Sequence, residues 1–477
     1  MPFEDLREFI KRLEETRDII RIKEEVDWNL EAGAIMRRCN ERGERAQLFE
    51  KIKGYPEGFK VLGGPIATFR RLAIAMEMDE SSSYSEILDE YIERRQNPIK
   101  PILINTGPCK ENIYKGDDVD ILKFPAPMMH YGDGGRYIGT WNVGVCKDPD
   151  SDWINYGIYR LMIHDKNSTG VFIIPTQHIG IIYKKYEDIN RPMEYAAFIG
   201  AEPITHFIAT TGVPYGVSEM DVVGGVRREP LKVVKCETVD LLVPATAEIV
   251  LEGEILPHIR KGEGPFGEYA GYQVSGRVDR PVFKVKCITH RNDPILTASC
   301  IGTPVDDSHI ATNIGWTSDM KIALLNAGIP ITRIYCPPES GLHLCIVATK
   351  TPYPNIATKI AGCIWADKNG QYIPKVIVVD EDVDPTDMNQ VIHAFSTKCH
   401  PKRGTTIIEN AYNCPIAGYL DVEERKLGKG SNIVFDCTWP KDWKAEDIPP
   451  RSSFNDIYPE DIKEMVLNKW KKYGFEA

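Results

Sequence analysis

No apolar run in the 477 residues reaches the roughly 18 needed to cross a bilayer. The first residues, Met1-Pro-Phe-Glu-Asp-Leu-Arg-Glu-Phe-Ile10, mix acids, bases and apolar groups and lack the apolar core of a signal peptide. The expected location is the cytoplasm. A basic excess is missing too: 58 Lys and Arg against 69 Asp and Glu leave a formal net charge of −11. That argues against a nucleic-acid partner or an anionic membrane surface, while a local basic pocket can still hold one phosphate group. None of the twelve cysteines forms a C-x-x-C pair. Scattered from Cys39 to Cys437 in a chain too large to need disulfide staples, they read as small buried apolar residues. Internal repeats and low-complexity segments are absent.

What is present is an ordinary globular composition, 42% hydrophobic and 27% charged, long enough for two or three domains. The expected class is α+β. Residues 1–101 read as a small N-terminal α/β unit. Phe3, Leu6, Phe9, Ile10 and Leu13 recur at helical spacing, so 3–17 should be an amphipathic helix, followed by a strand at 19–22. Asn29 can cap a second helix running to about Arg42, with Gly43 as its stop signal. Strands are expected near Phe49 and at 60–62, and Ser85 or its serine neighbours can cap a helix that ends before Pro98.

Residues 102–305 are strand-rich, with β-formers at 143–146, 158–164, 171–174, 205–209, 231–236, 248–251 and 282–289. Helical patterns are few, which favours a β-barrel or sandwich-like, split-barrel domain. Gly132-Asp-Gly-Gly135 and Gly225-Val-Arg-Arg228 read as turns within it. Residues 306–477 return to an α/β pattern, with helices at 317–327 and 355–365 and strands at 344–348 and 375–379. In Val378-Val-Asp-Glu-Asp-Val-Asp384-Pro385 the acids resemble a cation site. An Asp384 cap with Pro385 opening a helix explains them without metal and is preferred. The tail ends in an amphipathic helix near 459–473, suited to packing or subunit contact.

Chemistry concentrates in the middle segment. Glu263-Gly-Pro-Phe-Gly-Glu268 carries two carboxylates on a backbone that its glycines and proline keep out of a regular helix, so both acids can be aimed at one point. Asn155-Tyr-Gly-Ile-Tyr-Arg160 holds an amide and a guanidinium. Thr176-Gln177-His178 follows the strand end Phe172-Ile-Ile-Pro175, and Ser218-Glu219 closes the turn Val213-Pro-Tyr-Gly-Val217. One amide oxygen, one imidazole and one carboxylate form a set suited to a divalent cation such as Mn2+ or Mg2+, although Asn155, His178 and Glu219 lie 23 and 41 residues apart. A structural histidine and two solvated glutamates remain alternatives for these residues taken alone.

In this order, Asn155-Tyr-Gly-Ile-Tyr-Arg160, Pro175-Thr-Gln-His178, Gly216-Val-Ser-Glu219 and Glu263-Gly-Pro-Phe-Gly-Glu268 resemble the UbiD-type decarboxylases, which use prenylated FMN. The resemblance takes in Thr289-His-Arg-Asn-Asp-Pro-Ile295 and 378–385, and so nearly the whole chain. The runs 346–351 and Ser396-Thr-Lys-Cys-His-Pro-Lys402 are similar to the non-oxidative hydroxyarylic acid decarboxylases of 4-hydroxybenzoate or vanillate type.

The resemblance implies metal ligands at Asn155, His178 and Glu219, where Mn2+ (or Mg2+) ties down the cofactor phosphate with K+ beside it. It implies further cofactor contacts at Tyr156, Arg160, Gln177 and Lys398. The K+ site would use backbone near 209–211. Because the turn 212–217 is one residue shorter than in ferulic acid decarboxylases, the K+ ligands are not fixed. Arg160, Glu263 and Glu268 match the catalytic trio: Glu263 would orient Arg160, and Glu268 would carry the proton to the ring carbon as CO2 leaves. The implied reaction is reversible non-oxidative decarboxylation of a hydroxyaryl carboxylic acid, with a flavin prenyltransferase as cofactor supplier and a homo-oligomer as the working form. Rival readings are a carboxylase or decarboxylase of another aryl, heteroaryl or unsaturated acid, a plain flavin electron-transfer module, and a silent assembly subunit. Tyr269, His309 and His343 are candidate ring or phenol contacts, with structural roles as the alternative.

Overall fold

The computed structural model describes residues 2–274, 276–350 and 352–476, so Thr351, at the end of the 346–351 run, lies outside the described residues. Helices and sheets are mixed as expected, with a curled half-barrel sheet at the centre. The first helix, Leu6–Glu15, starts where Asp5 accepts from the Glu8 N–H and buries Leu6, Phe9, Ile10 and Leu13. A four-stranded sheet follows: Ile19–Ile22, Ala46–Phe49 and Lys60–Gly63, completed by Ile295–Ala298 from much later in the chain.

Asn29 does not cap the next helix, Glu31–Glu41. Its N–H donates to Asp27 Oδ1, and the Glu31 carboxylate accepts from the Asp27 N–H, so Asp27 and Glu31 shape the entry. Ser83 is the serine that caps Tyr84–Arg95, in a capping box with Glu86. Helix Phe69–Ala75, too short and too uniformly buried to show a period, has no counterpart in the sequence expectations.

The central sheet has nine strands around a long antiparallel pair, Ile249–Glu263 and Val278–His290. From one end the order is Tyr137–Gly139, Leu161–Asp165, Ser168–Val171, Val278–His290, Ile249–Glu263, Met193–Ile199, Asn142–Lys147 and Ile154–Gly157, with Asn112–Lys115 paired to Val278–His290. Ile154–Gly157 lies at one end and Leu161–Asp165 is next to the other. The three residues 158–160 therefore carry the chain across the mouth of the curl. That crossing sets Asn155 and Arg160 on opposite ends of one sheet.

Several local expectations are overturned. Segment 205–209 is not a strand; it lies in helix Pro203–Thr210, opened by Pro203 and capped by Glu202, which accepts from the Ile204 and Thr205 N–H groups. Because the helix is buried all round, its apolar run carries no 3.6-residue signature. Residues 225–227 close helix Glu219–Arg227 rather than forming a turn, with Arg228 left-handed at its end. The strand expected at 171–174 stops at Val171.

Five strands form the C-terminal sheet, in the order Ile331–Tyr335, Leu344–Thr349, Lys375–Asp380, Lys429–Cys437 and Thr405–Tyr412. Helix Asp307–Asn326 leads into it. Asp384 is not a helix cap: it accepts from Thr386 within a turn, and Asp387 caps Met388–Lys398. All twelve cysteines are free, eight of them buried. No helix among the described residues is long and apolar enough to cross a membrane.

Candidate active site

Glu263 is the last residue of its long strand, and Gly264, at φ +81°, turns the chain toward Glu268. The 132–135 turn supports this loop from behind. Gly134 N–H donates to Pro265 O at 2.7 Å, and a Cβ at Gly134 would fall 1.9 Å from Gly264 O. Asp133 accepts from the Gly267 N–H at 3.2 Å and from Gln273 Nε2 at 2.8 Å, while its other oxygen faces His130 Nδ1 at 3.1 Å. Loop and turn hold each other at a spacing that only glycine permits.

Arg160 joins the two acids. Its Nε and Nη2 donate to the two oxygens of Glu263 at 2.8 and 2.9 Å, and Nη1 donates to Glu268 Oε1 at 2.5 Å. Tyr137 donates its hydroxyl to Glu263 Oε1 at 3.0 Å. The guanidinium packs on Phe172 at 4.2 Å and on Phe266 at 4.8 Å. All three charged side chains are buried. Burial works to lower the Arg160 pKa, but Glu268 and Glu263 outweigh it and the net shift is upward, so Arg160 is a fixed cation. For Glu268 burial dominates over Arg160, and its pKa is raised. The trio thus holds one acid that retains its proton to a higher pH than a solvated glutamate.

Across the curl, strand Ile154–Gly157 presents Asn155, and helices His178–Asp188 and Glu219–Arg227 present their first residues. His178 Nδ1 donates to Asn155 Oδ1 at 3.2 Å and lies 3.8 Å from Glu219 Oε1. Tyr159 and Cys146 engage Asn155 Nδ2, which turns the amide oxygen toward His178. The Tyr156 N–H donates to Glu219 Oε2 at 2.8 Å. Burial raises the Glu219 pKa. Trp153 and Tyr215 pack edge-on against the imidazole. Separations of 3 to 4 Å between an amide oxygen, an imidazole nitrogen and a carboxylate oxygen suit ligands about 2.1 Å from a shared divalent ion. Such an ion would take the place of the Nδ1 proton. The donor set therefore fits the metal that the family resemblance implies. Because one donor is an amide, it is not a cluster of three His, Cys, Asp or Glu; no such metal-binding group occurs among the described residues, the acidic run 378–385 included.

The remaining predicted contacts fare differently. Tyr156 meets the site only through its backbone; its side chain packs on Phe198 and donates to Leu242 O. Gln177 folds back on its own loop, its Oε1 accepting from the Ile174 N–H. Lys398 is placed elsewhere: it pairs with Asp380 at 2.9 Å and Asp382 at 3.7 Å and sits over Trp439. The lysine that reaches the metal-side group is Lys368, whose Nζ donates to His178 Nε2 at 2.8 Å. It follows helix Ile356–Ala366, 190 residues beyond His178, and no local pattern singles it out. Burial lowers its pKa, with Glu219 opposing. His309 is a structural residue: fully buried, it lies 2.8 Å from Asp306 Oδ1 and donates Nε2–H to Tyr269 O at 2.6 Å. The Tyr269 hydroxyl contacts Cys414 Sγ at 3.4 Å.

A half-barrel sheet thus carries an amide, imidazole and carboxylate at one end and an arginine between two acids at the other. Three family models match: the 3-octaprenyl-4-hydroxybenzoate carboxy-lyase N-terminal domain over residues 10–91, its Rift-related domain over 102–304 and its C-terminal domain over 311–437. Pyrrole-2-carboxylic acid decarboxylase of Pseudomonas aeruginosa is 34% identical, covering 99% of this chain and 98% of its own. The closed form of vanillic acid decarboxylase from Sedimentibacter hydroxybenzoicus superposes with a TM-score of 0.87 at 30% identity, covering 100% of both chains. The UbiD-class enzyme HmfF of Pelotomaculum thermopropionicum, in complex with FMN, gives 0.85 at 28% identity over 98% of this chain and 100% of that one. This chain belongs to the UbiD family of carboxy-lyases.

Proposed function

We propose that this enzyme decarboxylates a hydroxyaryl carboxylic acid, of 4-hydroxybenzoate or vanillate type, with prenylated FMN bound between the two ends of the curled sheet. The observation that carries this reading is Arg160 held between Glu263 and Glu268, with the Glu268 pKa raised by burial. The arrangement separates an orienting acid from a proton-carrying one. Asn155, His178 and Glu219 would hold Mn2+ (or Mg2+) against the cofactor phosphate, with Lys368 as a second positive charge beside it. When bound, the prenylated flavin would supply an electrophilic ring system that delocalises the electron pair left on the ring carbon as CO2 departs.

The protein's share follows from its own groups. Glu263 grips Arg160 with both oxygens, so the guanidinium cannot rotate. Arg160 in turn fixes Glu268 through one hydrogen bond. As the bond to the carboxyl carbon breaks, CO2 leaves uncharged and its electron pair stays with the ring carbon. Glu268 delivers its proton to that carbon and becomes a carboxylate facing Arg160, which stabilises it. Run backwards, the same steps carboxylate the ring when CO2 or bicarbonate is high. A flavin prenyltransferase would supply the cofactor.

A heteroaryl acid is the second reading, favoured by the 34% identity to pyrrole-2-carboxylic acid decarboxylase. Co-expression with a flavin prenyltransferase, then a panel of benzoic, cinnamic and heteroaryl acids scored for CO2 release, tests both. Release from a hydroxybenzoic acid is expected. Turnover confined to pyrrole or furan acids would install the second reading. Bound ordinary FMN with no turnover of any acid would overturn both.

A further inference from the structure

The segment that carries Glu268 is tied down on both sides by one carboxylate oxygen. Asp133 Oδ1 accepts from the Gly267 N–H at 3.2 Å and from Gln273 Nε2 at 2.8 Å, residues on either side of Glu268 in the chain. Within the loop, the Glu268 N–H donates to Tyr272 O at 3.2 Å and the Gly271 N–H to Glu268 O at 2.9 Å. Gly264 and Gly271, at φ +81° and +88°, give it little stiffness of its own. Tyr269, which follows Glu268, meets His309 and Cys414 instead. The other Asp133 oxygen is held by His130, through its backbone N–H at 3.0 Å and its Nδ1–H at 3.1 Å. His130 also fills the space beside the loop: a Cβ at Gly267 would fall 2.6 Å from His130 Cε1. Its Nε2–H points to Cys300 Sγ at 3.3 Å, two residues beyond strand Ile295–Ala298.

Burial works to lower the His130 pKa, but Asp133 and Cys300 outweigh it and hold it up at about 10. Near neutral pH the ring is therefore a fixed imidazolium and not a proton shuttle. Both of its N–H groups are engaged, one by Asp133 and one by Cys300. The Asp133 side chain is fully buried, and its charge acts on Tyr137, whose hydroxyl serves Glu263. Pairing with the imidazolium cancels that charge. The loop thus gains an anchor without a third uncompensated negative charge beside Glu263 and Glu268. The Glu268 side chain is itself held by Arg160 Nη1, a bond that in the proposed cycle meets first a carboxylic acid and then a carboxylate. With the partner changing its charge at every turnover, the anchored backbone is what keeps the acid in one place.

We propose that His130 and Asp133 are positioning residues for the proton transfer, an imidazolium–carboxylate pair that holds Glu268 against the reacting carbon. The proposal rests on the decarboxylase reading above. The test uses the flavin-loaded enzyme and its His130→Ala and His130→Asn variants, with 4-hydroxybenzoate as the acid, phenol as the carboxylate-free product and rates expressed per bound flavin. Because small misplacements of a reacting group are costly, kcat should fall about tenfold or more in His130→Ala, while KM changes by no more than about threefold. Exchange of ring hydrogen for deuterium in phenol, which needs Glu268 but no substrate carboxylate, should fall by the same factor. Asparagine sets an amide N–H close to where Nδ1–H stands. His130→Asn should therefore recover part of both rates, and it serves alone, with kcat still below wild type, if the alanine variant does not fold. A merely structural role gives a different split: less bound flavin and a lower melting temperature, with kcat per bound flavin unchanged. That result, a raised KM with kcat retained, or an asparagine variant no better than the alanine one would overturn the proposal. A wild-type enzyme inert toward both acid and phenol would instead sink the decarboxylase reading itself.

Discussion

Glu263 and Glu268 differ in what holds them. Glu263 receives hydrogen bonds from two guanidinium nitrogens and a tyrosine hydroxyl. Glu268 receives one guanidinium nitrogen, and burial is the larger influence on it. This difference in partners matches the two roles proposed for them, Glu263 orienting Arg160 and Glu268 carrying the proton. At the opposite end of the sheet the residue that decides is His178. It contacts Asn155 and Lys368 and faces Glu219, so it links all the groups proposed to hold metal and phosphate. His178→Ala should lose bound manganese by at least about tenfold and release flavin on gel filtration. Metal content measured by elemental mass spectrometry checks this, and a full complement of manganese would remove His178 from the ligand set.

Among the elements, helix Asp307–Asn326 couples the sheets through a buried carboxylate. Asp307 accepts from the Ile66 N–H at 2.8 Å and from the Ser299 hydroxyl at 3.2 Å, and burial pushes its pKa up to about 6. A folded-state pKa above the unfolded value means stability is lost as pH rises through it, here between about 4 and about 6, amounting to about 3 kcal/mol. Asp307→Asn keeps an acceptor for Ile66 and does not ionise. Its stability relative to wild type should therefore improve by about that amount between pH 3.5 and pH 7. Denaturant melts at several pH values test this, and a difference independent of pH would contradict it.

Elements with a visible period or cap are legible in the sequence: Leu6–Glu15, Tyr84–Arg95 and the strands Leu344–Thr349 and Lys375–Asp380. Helix Pro203–Thr210 is not, because a wholly buried helix and a buried strand present the same apolar run. Glu263, Glu268, Asn155, His178 and Glu219, which the structure gathers into two groups, stand out in the sequence by chemistry and resemblance, since carboxylate, imidazole and amide declare what they can do. Lys368 is not legible: it lies in a loop between helix and sheet and gains its meaning only from His178, 190 positions away. Lys398, singled out by the motif around it, pairs with Asp380 and Asp382.

Over the whole molecule, apolar side chains are left uncovered at the C-terminal end. Ile462, Met465 and Leu467 on helix Glu460–Lys469, Trp470 and Tyr473 after it, and Ile407 and Ile408 on strand Thr405–Tyr412 are all exposed. A surface of this kind is expected to be covered by a second copy. Light scattering should give a multiple of 53.9 kDa, and Leu467→Glu together with Ile408→Glu should shift it toward the monomer. A wild-type monomer would refute that assembly. In the proposed reaction the two ends of a single sheet hold the cofactor and carry the proton. Glu268→Gln, co-expressed with a flavin prenyltransferase, tests it most directly. Flavin and manganese content should match wild type, while CO2 release and deuterium exchange into product should both fall by about 100-fold or more. Retained turnover in a fully loaded Glu268→Gln enzyme would contradict the account.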